Sequence, residues 1–449
     1  MKKLILSAAA AAAIVLPMSA EGYQVNTLSA KQNGMGHTGT ALKLGSESMI
    51  FNPAGMAFME DKIDFSGSFT AIIPDASAKV DGVKYSTDCP ASTPLAFNLG
   101  FSIYDNLKAG VSFYTPYGSN IKWGENWAGA LLNQQVKLAV YTVQPTIAWR
   151  ITPKLSVGAG LTIAWGSVNL DKGLASGNSL DMMLMAQGMP AMFGDIVPAS
   201  VNLKGTSDVA LGFNIGAMYD INSQWTVGAS YRNKMSMKVK SGLASVNYAN
   251  EMASAILESQ LGLIDQANFS AEMPCVSILS LGVSYKPIER LTLAADVQLS
   301  FWKQYKQLDI EFTPAQLSVF DQHIEKNYRN ALMYHIGAQY NLTDRFDLRA
   351  GLLLDTTPIR NDNYNPETPG MTKLEPSVGL SFRPVKNFSI DASVMYVAGL
   401  GANNASIKYV DMLKQQMMTQ LGQTYTPETF TADYSVSAWC PSIGFSLTF

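Results

Sequence analysis

Along most of the chain, apolar and polar residues alternate with a period of two. In "LGFNIGAMYDI", Leu211, Phe213, Ile215, Ala217, Tyr219 and Ile221 fall on one face, and Gly212, Asn214, Gly216, Met218 and Asp220 on the other. Successive side chains of a β-strand point to opposite faces, so the pattern predicts strands with one apolar side. "WTVGASYRNK" repeats it, with Trp225, Val227, Ala229 and Tyr231 opposite Gly228, Ser230, Arg232 and Lys234. In "FDLRAGLLLD" the charges Asp347, Arg349 and Asp355 share one face, and in "FSIDASVMY" Asp391 sits with Ser389 and Ser393. The second face is mostly Gly, Ser, Thr and Asn, where a soluble sandwich typically carries many Lys and Glu. Small polar residues with occasional charges suit a barrel lumen, with the apolar face turned to lipid.

Fourteen segments carry the pattern: 63–73, 95–104, 107–115, 136–151, 154–170, 204–221, 224–240, 269–286, 289–312, 330–342, 345–357, 374–384, 386–399 and 430–449. Six short joints ("YDNL", "ITPK", "INSQ", "KPIE", "LTDR" and "RPVK") alternate with seven long ones. Outer-membrane hairpins have that asymmetry: short periplasmic turns and long external loops. The expected fold is all-β, a 14-stranded antiparallel transmembrane outer-membrane β-barrel with both ends in the periplasm. Its last strand closes on "SIGFSLTF", and an alternating strand ending in Phe449 resembles the signal read by the barrel-assembly machinery of the outer membrane.

The N-terminus fits that address. Lys2 and Lys3 precede an apolar run from Leu4 to Leu16 and the small residues Ser19 and Ala20, which reads as a secretory signal peptide over 1–20. The run is shorter than the roughly 18 to 20 residues a spanning helix needs. Residues 21–62 then precede the barrel of 63–449, whose long extracellular loops fall near 166–205 and 241–268. Within 21–62, "NGMGHTGTA" sets Gly34, Gly36 and Gly39 at the spacing of a dinucleotide-binding loop. That fingerprint requires a preceding strand in a βαβ unit, and none fits between residue 21 and Gly34. A barrel this wide would leak unless its lumen were filled. The glycines instead suit tight turns and close backbone contact in a compact plug, and "FNPAG" supplies a turn.

Composition narrows the chemistry. The formal net charge of −3 becomes −5 without Lys2 and Lys3, and no basic block occurs, so nucleic acid is not an expected partner. Cys89, Cys275 and Cys440 are too scattered for a metal cluster or a disulfide framework; a Cys89–Cys275 bridge stays open. The histidines are His37, His323 and His335, and no G-x-S-x-G or H-E-x-x-H occurs. No catalytic residue, metal or cofactor is expected. A general diffusion porin or a structural barrel is the main alternative, although neither accounts for residues 21–62.

"GYQVNTLSAKQNGMGHTGTA" followed by "FNPAGMA" resembles the N-terminal hatch of the FadL/TodX family, outer-membrane transporters of long-chain fatty acids and other hydrophobic compounds. The likeness continues in "TPYGSNIKWGENW", "GFNIGAMYDINSQWTVGASYRNKM" and "LAADVQLSFWKQYKQL". It implies a fourteen-stranded barrel whose hatch includes Tyr23, Gln24, Gly34, Gly36, Gly39, Asn52, Pro53 and Ala54. It also implies a hydrophobic small molecule as ligand, taken up passively through a membrane of lipid and lipopolysaccharide. Two long loops carry apolar side chains for its capture: Met182, Met183, Met185, Met189, Met192 and Phe193 in one, Met252, Ile256, Leu257, Leu261, Leu263 and Ile264 in the other. Methionine's flexible, polarizable side chain suits varied apolar ligands, although the same residues would also pack the loops on each other. The family model passes ligand to a lumen pocket above the hatch and out sideways at an inward kink of the third strand, here the strand of Gly110. For a carboxylate head group the candidates are Arg232 and Arg349, which could equally brace the lumen with Asp220, Asp347 or Asp391.

Overall fold

The computed structural model describes residues 23–449, the Leu261 side chain excepted; the expected signal peptide lies outside the described residues. Among these residues the chain forms a closed antiparallel barrel of fourteen strands. They are β1 (Ile63–Thr70, resumed at Ile73–Val80), β2 (Val83–Ser86 and Leu95–Tyr104), β3 (Leu107–Lys122), β4 (Gln135–Arg150) and β5 (Leu155–Ala175). Next come β6 (Ala199–Thr206 and Ala210–Asp220), β7 (Trp225–Arg232 and Met235–Tyr248), β8 (Gln266–Cys275 and Ile278–Ile288) and β9 (Leu291–Ser300 and Gln307–Thr313). The circuit ends with β10 (Gln322–Glu325 and Ala331–Asn341), β11 (Phe346–Asp355), β12 (Lys373–Val385), β13 (Phe388–Gly399 and Ala402–Tyr409) and β14 (Glu428–Thr448). β1 closes on β14, from Asp64 opposite Thr448 to Thr70 opposite Ser442, so this stretch leaves no open edge. The backbone carbonyl of Phe449 accepts from Lys62 and Ile63 N–H at 2.8 and 3.1 Å, completing the seam.

The alternation sorts as a membrane barrel demands. Leu211, Phe213 and Ile215 are exposed on the outer wall, while Asn214 and Met218 between and beyond them are buried inside. Asp347, Arg349, Asp355 and Asp391 are likewise all buried. Aromatic pairs rim the apolar band: Trp225 stacks on Tyr285 at 4.2 Å and Phe346 on Phe382 at 4.9 Å near the short turns. Further out, Tyr141 stacks on Trp165 at 6.2 Å. Trp149 and Tyr141 sit at opposite rims of β4, eight residues apart, or roughly 26 Å along a strand rising about 3.3 Å per residue.

Several strands run further outward than the hydrophobic pattern indicates. β5 continues to Ala175 and pairs Asp171 with Gln135; β1 continues to Val80 and turns back at β2. The pattern reports where lipid ends, whereas backbone pairing continues wherever neighbouring strands remain. Beyond the lipid the rungs are polar, as where Asn202 Nδ2 donates to Asp171 Oδ1 at 2.6 Å.

Residues 23–62 fold inside the lumen. They make single helical turns at α1 (Ala30–Asn33) and α2 (Ser48–Phe51) and a 3-10 turn at Pro53–Phe58. Three longer helices, α3 (Gly177–Ala186), α4 (Glu251–Leu261) and α5 (Met412–Gln420), belong to the outer loops. All three cysteines are free, so Cys89 and Cys275 do not pair.

Candidate functional site

The hatch is fastened by backbone bonds to polar side chains of the wall. Ala30 N–H donates to Ser68 Oγ at 2.8 Å, and Gly36 N–H to Ser377 Oγ at 3.1 Å. Gly39 and Thr40 N–H share Asp296 Oδ2 at 2.7 and 2.9 Å, while Gln144 Nε2 donates to Met49 O at 2.7 Å. His335 Nδ1 lies 2.9 Å from Gly36 O. Asn52 organises the second half. It is fully buried, its Oδ1 accepts from Ala54 N–H at 3.1 Å to cap the turn that Pro53 begins, and its Nδ2 donates to Thr40 O and Ala217 O at 2.7 and 3.1 Å.

Wall glycines provide the clearance. A Cβ at Gly158 would lie 2.4 Å from the Pro53 carbonyl carbon, one at Gly228 2.1 Å from Thr40 O, and one at Gly351 1.9 Å from Gly36 N. The G-x-G-x-x-G glycines answer from the other side. Gly34 packs on Gly379, Gly36 adopts φ +61° against Ile336 and Leu352, and Gly39 lies under the Phe51 ring. Their spacing serves backbone-to-backbone contact, and no nucleotide loop is formed.

At the outer end of the plug the N-terminal segment joins the wall. Val25 N–H donates to Pro116 O and Gly118 N–H to Tyr23 O, both at 2.9 Å, and Gln24 bridges Tyr117. Here the β2–β3 ladder breaks. It runs regularly to Ala96 opposite Tyr114, and the next hydrogen-bonding step in that register would set Pro94 against Pro116, neither of which has an N–H. Pro94 O accepts instead from Thr70 of β1, and a one-residue bulge at 115–116 turns β3 toward Tyr23. Gly110 sits below the break in the regular ladder, against Met49 of the hatch.

Above the hatch the lumen holds an apolar cavity lined by residues such as Val140, Val168, Leu203, Met237, Phe269 and Ile310. One end is polar. Buried Lys326 is ion-paired to Glu367 and stands 5.5 Å over the Tyr305 ring, and Lys172, which donates to Gln322 Oε1 at 3.0 Å, lies within the field of both charges. Burial alone would lower the Lys326 pKa, but the Glu367 carboxylate overrides it and holds the ammonium charged. Lys326 and Glu367 thus form a buried ion pair at the edge of a greasy pocket. Tyr23, Trp302, Tyr305 and Tyr328 pack edge to face as its floor, with Tyr23 and Trp302 centroids 5.0 Å apart, and Tyr117 lies tilted against Tyr23. Below that floor is a second, polar cavity lined by residues that include Arg232, His37, His335 and Pro116.

The two arginines part company. Arg349 is held by Gln339 at 2.8 Å, by Ser381, and by Asp347 and Asp391 at 3.5 and 3.8 Å; it braces the lumen. Asp220 pairs with Lys43 of the hatch at 2.6 Å. Arg232 donates to Ile50 O at 2.8 Å, and among the described residues no carboxylate lies within 4.0 Å of it.

The loop residues divide as well. Met183, Phe193 and Leu257 are buried with Leu180, Leu184, Ala253, Leu263 and Leu413 in a core shared by α3, α4 and α5, and Ile256 packs against it. Met182, Met185, Met189, Met192, Met252 and Ile264 remain exposed, and Met192, Phe193 and Met252 line one open cleft between the two loops. Asp181 shapes this surface by accepting from the backbone N–H groups of Met192, Phe193 and Gly194 at 2.7 to 2.9 Å. Sequence reasoning missed Lys172, Lys326, Glu367 and Asp296, which lie outside the motifs it relied on. The prolines at 94 and 116 were a legible signal, since a proline inside a strand removes a ladder donor.

A barrel with an apolar outer face, an N-terminal segment folded inside its lumen and a greasy inner pocket defines a class: an outer-membrane barrel protein with a filled lumen. A family model described as outer membrane protein transport protein (OMPP1/FadL/TodX) matches residues 10–449, and the chain belongs to that family of bacterial outer-membrane transport proteins. The long-chain fatty acid transport protein of Escherichia coli is 21% identical over 421 residues, covering 89% of this chain and 93% of that one. Among solved structures, a Pseudomonas aeruginosa FadL homologue superposes with a TM-score of 0.78 at 19% identity, covering 95% of this chain and 100% of that one. The Pseudomonas putida toluene transporter TodX reaches 0.68 at 17%, covering 96% and 99%. These likenesses establish the fold.

Proposed function

We propose that the protein carries long-chain hydrophobic molecules with an anionic head, fatty acids foremost, passively across the outer membrane. The observation that carries this reading is the apolar cavity whose one polar end holds the Lys326 ammonium and the Glu367 carboxylate, with Lys172 near enough to feel both charges. Burying ten methylenes contributes about 8 kcal/mol before the costs of association and of ordering the chain. Similar proteins agree with this reading: one is a long-chain fatty acid transport protein, another a toluene transporter.

Capture begins on the exposed methionines of the outer loops, whose cleft at Met192, Phe193 and Met252 offers apolar surface above the lumen. The molecule then enters the cavity with its carboxylate between Lys172 and Lys326. Displacement of Tyr23 and Gln24 opens the floor, and the ligand leaves through the wall where Pro94 and Pro116 interrupt the β2–β3 ladder. That route keeps the acyl chain out of periplasmic water. The remaining hatch, anchored through Asn52 and the wall glycines, keeps small hydrophilic solutes out, which counts against a general porin.

Binding of oleate and of oleyl alcohol to the purified protein tests the pocket. Oleate should bind at least tenfold more tightly than the alcohol, and Lys326→Met or Lys172→Met should erase the difference. Equal affinity for both, unchanged in the variants, would remove the anionic head group from the account.

A further inference from the structure

We infer that the polar chamber beneath the aromatic floor is a second binding station, in which Arg232 receives the carboxylate after it leaves Lys172 and Lys326. The inference rests on the transport reading and adds to it a site with its own chemistry. The two cavities meet at the N-terminal segment: Tyr23 lines the upper one, while Gln24 and Val25 line the lower. The lower one also reaches Pro116, at the break in the wall.

Its lining suits a head group and would disfavour an acyl chain. Gln24, Asn26, Asn214, Ser230, Ser280 and Gln298 present amides and hydroxyls. Arg232 is the cation among them. One of its terminal nitrogens holds Ile50 O, its guanidinium lies 5.6 Å from the Tyr114 ring, and its Nε is buried without a hydrogen-bond partner. A buried cationic donor left unmatched is costly, and a carboxylate would satisfy it in a charge-assisted bond. The contrast with Arg349, which sits between two carboxylates, shows that this fold pairs its lumen arginines where pairing is their purpose.

The groups facing Arg232 across the chamber are Asp296, His37 and His335. Asp296 makes no ion pair with it within 4.0 Å; its Oδ2 accepts from the Gly39 and Thr40 N–H groups of the hatch. With the head group held at Arg232 beside Pro116, the acyl tail is free to enter the wall opening first. The carboxylate thus passes from one cationic site to the next without being stranded in the hydrocarbon part of the wall.

The test compares uptake of oleate with uptake of hexadecane, an uncharged chain, in cells expressing the wild type, Arg232→Gln or Arg232→Lys. Gln keeps a donor for Ile50 O but loses the charge. Oleate binding to each purified variant reports the upper pocket separately. The expected result is a roughly tenfold fall in the oleate-to-hexadecane uptake ratio for Arg232→Gln, recovery in Arg232→Lys, and retained oleate binding in both. An unchanged ratio in Arg232→Gln would overturn the second station, as would an equal loss for both cargoes, which would reduce Arg232 to a hatch anchor. Absence of oleate binding in the wild type is a separate result: it would overturn the transport reading on which the station rests.

Discussion

Seating of the hatch against glycines of the wall leads to a sharp prediction for Gly351→Ala. The added Cβ would stand 1.9 Å from Gly36 N and 2.2 Å from the Met35 carbonyl carbon, whereas ordinary contact begins at 3.4 Å. Strand β11 is fixed by ladders on both sides, so the hatch must retreat by about 1.5 Å. Gly36 then loses its bonds to Ser377 Oγ and His335 Nδ1, now 3.1 and 2.9 Å long. Overpacking costs about 1 to 3 kcal/mol and two lost hydrogen bonds about 1 kcal/mol each, so the docked state weakens by about 3 to 5 kcal/mol. At about 1.4 kcal/mol per tenfold, the displaced hatch becomes at least 100-fold more populated. The barrel itself should not suffer, since Ala is no worse than Gly in a strand. Influx of a hydrophilic antibiotic too large for diffusion past a seated hatch is the assay, with heat resistance of the barrel measured alongside. Ser377→Ala, which removes one bond and adds no clash, should have a much smaller effect. Wild-type antibiotic exclusion in Gly351→Ala, with an intact barrel, would refute the seating of the hatch in these notches.

Asn52→Leu should also raise antibiotic influx, because it strands Thr40 O and Ala217 O and removes the cap of the 3-10 turn, at a cost of about 1 to 3 kcal/mol; unchanged exclusion would contradict that role. Pro94→Val combined with Pro116→Val restores two ladder donors, and the expected outcome is slower oleate uptake with unchanged oleate binding; equal uptake would show that the break is not the exit. In the outer loop, bonds from the Met192, Gly194 and Phe193 N–H groups hold the Asp181 carboxyl below the ordinary carboxylate value. Its contribution is therefore present at neutral pH and is lost as pH falls below about 4. Hydrogen exchange at residues 192–194, corrected for intrinsic rates, should accelerate in that range, and in Asp181→Asn at neutral pH; constant protection would contradict it.

How far the sequence disclosed this molecule depends on which physical signal a feature leaves. Lipid on one side and a lumen on the other impose a period of two, so Leu211 to Ile221 read as a wall strand without any structure. The turns "ITPK" and "INSQ" announce themselves by residue type. Where lipid ends the period fades, and the outer extensions of β1, β5 and β7 were therefore read short. The glycines of the hatch were legible as backbone contacts, but their partners, Gly158, Gly228 and Gly351, became meaningful only once the plug was in place. The Lys326–Glu367 pair brings together residues 41 positions apart in two loops, and no local pattern marks such a meeting. The methionine stripe shows a similar limit: composition suggested a capture surface, while burial assigned Met183 to packing and left Met182, Met185 and Met189 outside.

Selective passage of hydrophobic molecules through a stoppered barrel is the central property proposed for this protein. Uptake of radiolabelled oleate into cells lacking their own transporter tests it most directly, comparing the intact protein with a variant deleted for Gly22 to Asn52 and measuring antibiotic permeability in both. The intact protein should admit oleate while excluding hydrophilic antibiotics, and the deletion should admit the antibiotics. Antibiotic entry through the intact protein without oleate uptake would contradict the account and make the barrel a porin.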